Sequence, residues 1–104
     1  MKKILFVVLA TCLTSLSVKA QIQVGAAVYG EQGGDELGTS VSLSGDGTIM
    51  AVGAQRNDGS FVDAGHVRIY ENSSGSWSQL GADIDGEAAS NYSGNSVSLS
   101  EDGT

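Results

Sequence analysis

Twelve acidic residues against five basic ones define the chemistry open to this chain. Glu31, Asp35, Glu36, Asp58, Asp63, Asp85 and Glu87 all fall in polar, glycine-rich stretches, with Arg56 as a local counter-charge. Such a set suits a cation-dependent or basic ligand. It equally suits ordinary solvation of loop carboxylates, and that plainer reading is favoured. His66 is the sole histidine, with no second histidine and no nearby cysteine to complete a metal site, so it is read as a strand residue facing a packed layer or solvent. The serine-rich segments offer hydroxyls but no discernible base and orienting partner, so no catalytic residue is assigned. Trp77, Tyr70 and Tyr92 have the faces to stack on sugar rings, yet packing is the preferred role. Asn72-Ser73-Ser74 and Asn91-Tyr92-Ser93 match the glycosylation pattern, a frequent accident in serine-rich sequence. No ligand-binding residue is assigned.

What positions these residues is a repeat. Gly38 to Thr48 returns as Gly94 to Thr104, an offset of 56 residues, and aligning 21–48 with 77–104 gives 14 identities in 28 positions. A fixed period of this length marks stacked units that bury their apolar faces against one another. Within the unit the pattern is of strands. Ser40-Val41-Ser42-Leu43-Ser44 alternates, setting Val41 and Leu43 opposite three serines, and each apolar side chain contributes roughly 1.5 to 3 kcal/mol if fully buried. Gly45-Asp46-Gly47 is a turn. Thr48 to Val52 is almost continuously apolar, as in a strand covered on both faces. Gly65 to Tyr70 alternates again, with Val67 and Ile69 on one face and His66, Arg68 and Tyr70 on the other. Glu71 to Ser76 reads as a hairpin connection, and Trp77 to Leu80 closes the unit.

Four short strands per 56 residues predict an all-β fold of β-propeller blades, each a four-stranded antiparallel meander. The division is 21–30 as the outer strand of a split blade, 31–86 as one full blade, and 87–104 as the start of the next, so the chain reads as the amino-terminal piece of a longer array. A β-sandwich and a β-solenoid are the weaker alternatives. In a meander the connections alternate between two ends, which places the loops at 30–38, at 53–64 and from Gly81 together, and the turns at 45–47 and 71–76 at the opposite end.

Residues 1–20 differ in kind. Lys2 and Lys3 precede an apolar run, and Val18-Lys19-Ala20 is a small-residue site, so a signal peptide cleaved between Ala20 and Gln21 is expected. A lipid anchor on Cys12 is the rival. The run is short for a permanent span, which needs roughly 20 apolar residues. Removing it takes away three lysines and no acid, leaving 2 − 12 = −10. That charge gives no footprint for nucleic acid and suits an extracellular or cell-surface setting. With Cys12 gone, no disulfide can form within the product.

Leu37-Gly38-Thr39-Ser40-Val41, Ser44-Gly45-Asp46-Gly47, Ala51-Val52-Gly53-Ala54 and Gly65-His66-Val67-Arg68-Ile69-Tyr70, in that order, resemble the FG-GAP repeat. The resemblance implies the propeller of integrin α-chains and of many secreted bacterial proteins. It departs where the phenylalanine of Phe-Gly is Leu37 and Ser93, and where the proline of Gly-Ala-Pro is Gln55. Calcium-binding members carry several acidic or amide residues in the first turn, because the ion needs roughly six to eight oxygens. Here that turn offers Asp46 alone, and Glu101 with Asp102 in the second copy, so a glycine-assisted turn without a cofactor is expected. The function implied is a secreted, non-enzymatic binding or adhesion module for an extracellular protein or glycan. The alternatives are a propeller enzyme acting on extracellular glycans and a purely structural surface repeat.

Overall fold

The computed structural model describes residues 23–104. The expected signal peptide, the Ala20–Gln21 cleavage site and Cys12 lie outside the described residues.

Strands β1 (Leu37–Leu43), β2 (Ile49–Ala54), β3 (His66–Ser73) and β4 (Ser76–Gln79) form an antiparallel meander in sequence order, and a short β5 (Ile84–Asp85) pairs with β3 beyond β4. Among the described residues the chain is all-β, an open antiparallel sheet consistent with an incomplete propeller blade. Turn chemistry fixes the register. Ser44 and Ile49 bracket the first turn, in which Gly47 takes a φ of 74°. Ser74 and Gly75, both at positive φ, make the two-residue β3–β4 hairpin whose backbone twist matches that of its strands. β5 was not anticipated. Leu80 N still donates to Ile69 O, after which the chain bulges out and returns so that Ile84 and Asp85 oppose Val67 and His66.

The apolar β2 behaves as its composition predicts, with Ala51 through Ala54 all buried. β1 does not. Val41 and Leu43 are 53% and 54% exposed, whereas the serine face is the covered one. The reason is polar. Ser40 Oγ donates to Gly94 O at 2.7 Å, and Ser42 Oγ accepts from Leu99 N at 3.0 Å. The serines therefore face the second copy and satisfy its backbone, while the apolar side of β1 is left open.

The repeat is visible in the backbone as well as in the letters. At the same offset Gly25 and Gly81, Gly34 and Ser90, Glu36 and Tyr92, Gly38 and Gly94, and Gly47 and Gly103 all hold positive φ. Positive φ is unusual for a residue with a Cβ, so Glu36, Ser90 and Tyr92 adopt it because the loop path demands it. The two copies differ in their ladders. Residues 23–30, expected to be a strand, make none; their described contacts include Trp77 Nε1 donating to Val24 O at 3.3 Å. Ser96 to Ser100, identical to Ser40 to Ser44, is not a strand either, because no antiparallel neighbour lies beside it.

The copies meet along a glycine seam. A Cβ on Gly53 would overlap Gly94 O, and one on Gly94 would overlap His66 O and the Gly53 backbone. Around this crossing Ser93 N donates to Ala64 O and Gly86 N to Gly65 O, each at 2.8 Å.

Candidate functional site

The two ends of the blade present different chemistry. At the long-loop end, the loop before β1 and the loop between β2 and β3 are tied by Asp35 and Asn57, both buried. Asn57 Nδ2 donates to Asp35 Oδ2 at 2.9 Å and to Glu31 Oε2 at 3.3 Å, while Gln32 N donates to Asp35 Oδ2 at 3.2 Å. Burying a carboxylate is tolerable when donors converge on it. Beside this tie lies a recess of about 250 Å³ lined by Glu31, Gln32, Asp35, Asn57, Asp58 and Gly59. Glu36 is held apart by Gln55 Nε2 at 2.6 Å and Arg56 Nε at 3.3 Å. Asp58 caps its own loop, its Oδ1 accepting from Asp63 N at 2.8 Å. The structure thus brings together Glu31, Asp35 and Asp58, leaves Glu36 with Arg56 on the rim, and places Asp85 elsewhere. Asp63 serves as backbone, its carbonyl accepting from Tyr92 N at 3.1 Å.

Arg68, read from the sequence only as a strand residue, is the cation that links the loops. Its Nε and Nη2 reach Asp83 Oδ1 and Oδ2, both at 2.8 Å, and its Nη2 also contacts Glu31. The forked pair holds Asp83 down to about 2, chiefly through the guanidinium hydrogen bonds, and raises Arg68 above its usual range. The Asn57 amide, followed by Arg68, lowers Glu31. One signal for this role was in the sequence: Arg68 is one of only two arginines among twelve acids.

His66 is 2% exposed. Its Nδ1 lies 3.6 Å from Asp83 Oδ2 and 3.9 Å from Asp85 Oδ1. These carboxylates converge on His66 through the β3–β5 pairing and not through closeness in sequence, where neither a cysteine nor a second histidine accompanies it.

At the short-turn end the two copies agree. Asp46 Oδ1 accepts from Ser44 Oγ at 2.9 Å, Thr48 N at 3.0 Å and Thr48 Oγ1 at 2.8 Å. Asp102 Oδ1 accepts from Ser100 Oγ at 2.9 Å, Thr104 N at 3.2 Å and Thr104 Oγ1 at 2.9 Å. Thr48 leads the causes that hold Asp46 below the usual carboxylate range, and Ser100 leads those for Asp102. Gly45, Asp46, Ser100, Glu101 and Asp102 line an open groove between the two turns. The aspartates organise the turns internally, each accepting from the hydroxyls and amide of its own turn.

Trp77 packs beside Gly25 and Tyr70 is buried, whereas Tyr92 is 40% exposed on the loop that follows β5. No helix among the described residues is long and apolar enough to cross a membrane. Comparison with protein-family models matches residues 30–70 to the FG-GAP repeat. Comparisons with curated proteins and with solved structures find no match.

Proposed function

We propose that this chain, whose residues 30–70 match the FG-GAP repeat, is a secreted, non-enzymatic binding or adhesion module whose long-loop end engages an extracellular protein or glycan carrying basic groups. The observation that supports this most is the acidic recess between two loops that Asp35 and Asn57 clamp together. Loops held by a rigid sheet are suited to recognition, because little conformational freedom is lost on binding. The sign of the rim favours a cationic surface: Glu31, Asp35 and Asp58 line the recess, and Glu36 stands beside it. Secretion is supported by the basic and apolar character of residues 2–16 and the small residues before Gln21.

The test is binding of the intact protein to immobilised basic extracellular proteins and to amino-sugar glycans at two salt concentrations. Salt-sensitive binding that weakens in Glu31→Gln/Asp58→Asn and persists in Asp46→Asn supports the reading. Binding indifferent to the loop substitutions overturns it, and turnover of a bound glycan replaces it with the enzyme alternative.

A further inference from the structure

We propose that His66, Asp83 and Asp85 form a binding site for a divalent transition-metal ion of the zinc type. One imidazole nitrogen and one oxygen from each carboxylate lie within 4.8 Å of one another. The donor set is mixed nitrogen and oxygen, which suits zinc and its neighbours and not calcium, whose ligands are all oxygen.

Three observations separate this cluster from a chance gathering of acids. The first is the state of His66, a nitrogen donor that is almost fully buried. Its Nδ1 points at two carboxylates from just beyond hydrogen-bond distance.

The second is position in the repeat. Asp83 and Asp85 stand at the offset of Ala27 and Tyr29, so the fold unit does not require carboxylates there. Residues two apart on an extended strand share a face, and here that face is turned to His66, which Asp85 opposes across the β3–β5 pairing.

The third is support from outside the donor set. Arg68 grips both oxygens of Asp83, and Gln79 Nε2 donates to its Oδ1 at 2.6 Å. Metal-ligating carboxylates are oriented by outer partners of this kind. Glu31, Asp83 and Asp85 against Arg68 leave a local charge of −3 + 1 = −2, which a divalent ion neutralises. Bonds of roughly 2.0 to 2.2 Å to each donor require closure by on the order of 1 Å, within reach of the half-exposed Asp85 side chain. Three protein donors leave a coordination position open.

The site is tested on the intact protein by calorimetric titration with zinc chloride, and by the visible absorption of cobalt(II) as a geometric probe. The expected result is one equivalent of zinc, with a cobalt spectrum of four or five coordination. Binding should weaken more than about tenfold in Asp85→Asn, an exposed isosteric change that leaves the fold intact. His66→Gln should abolish the cobalt band, and Asp46→Asn should leave it unchanged. Absence of saturable zinc binding, or full affinity retained in Asp85→Asn, overturns the proposal. The readout is the ion alone, so failure here leaves the partner-binding reading untouched, and the reverse also holds.

Discussion

The short-turn end of the blade and its long-loop end obey different rules. At the turns, Ser44, Asp46 and Thr48 are matched atom for atom by Ser100, Asp102 and Thr104. At the loops the backbone repeats and Glu31 returns as Glu87, but most of the other charged side chains do not recur. Asp35 becomes Asn91, Glu36 becomes Tyr92, and Ala27 and Tyr29 become Asp83 and Asp85. Even so, one local device survives the change: the Asn91 amide oxygen, in the orientation its neighbours dictate, accepts from Ala88 N at 3.1 Å, as Asp35 accepts from Gln32 N. The lesson is that an array keeps constant what shapes its units and lets vary what those units display. Charge is free to change at the loop end because the path there is set by backbone and glycine.

The sharpest way to break that division is to attack the seam that both ends share. Gly53→Val inserts a branched side chain where the Gly94 carbonyl already sits. Overpacking of this kind costs about 3 kcal/mol or more, and in the intact protein the melting temperature should fall further than for any variant at either end. If it does not, the copies are not packed along this line.

Next in size is Arg68→Met, which removes the forked partner of Asp83 while keeping the apolar stem. Both groups of the pair are mostly covered, at 13% and 26% side-chain exposure, so denaturant titration should register a loss of about 2 to 3 kcal/mol. Asn57→Ala follows. It withdraws a donor from the buried Asp35 and should cost about 1 to 2 kcal/mol, with faster amide exchange at Gln32 and Gly59 as the local sign. A uniform change in exchange across both ends would blur the division between them.

Much of this division was legible in the letters. The repeat, the order of the four strands, the covered β2 and the gathering of the 30–38 and 53–64 loops all follow from periodicity and turn residues, which act locally. The pairings that followed from long-range contact were not legible. Nothing near Asp83 in sequence announces Arg68 or His66; the chain must first bulge after Leu80 and return as β5. The serine face of β1 misled for a related reason. Alternation fixes which residues share a face, but which face is covered depends on the neighbour, and here the neighbour presents backbone donors and acceptors that hydroxyls satisfy.

The smallest expected effect is also the one that tests the constancy of the turns most directly. Asp46 and Asp102 are exposed, and each is held below its ordinary value of 3.8 by hydrogen bonds within its own turn. A carboxylate with a depressed folded-state value stabilises the fold fully above its unfolded value, and that contribution is lost as pH falls through the lower folded value. The turns should therefore be intact at neutral pH and loosen only below about pH 3.8. Carboxyl carbon titration by NMR should show both aspartates titrating below that point, and Thr48→Val should move Asp46 upward toward 3.8 without moving Asp102. If the two titrate far apart, or if Thr48→Val shifts both, the turns are not independent copies of one device and the groove between Asp46 and Glu101 couples them.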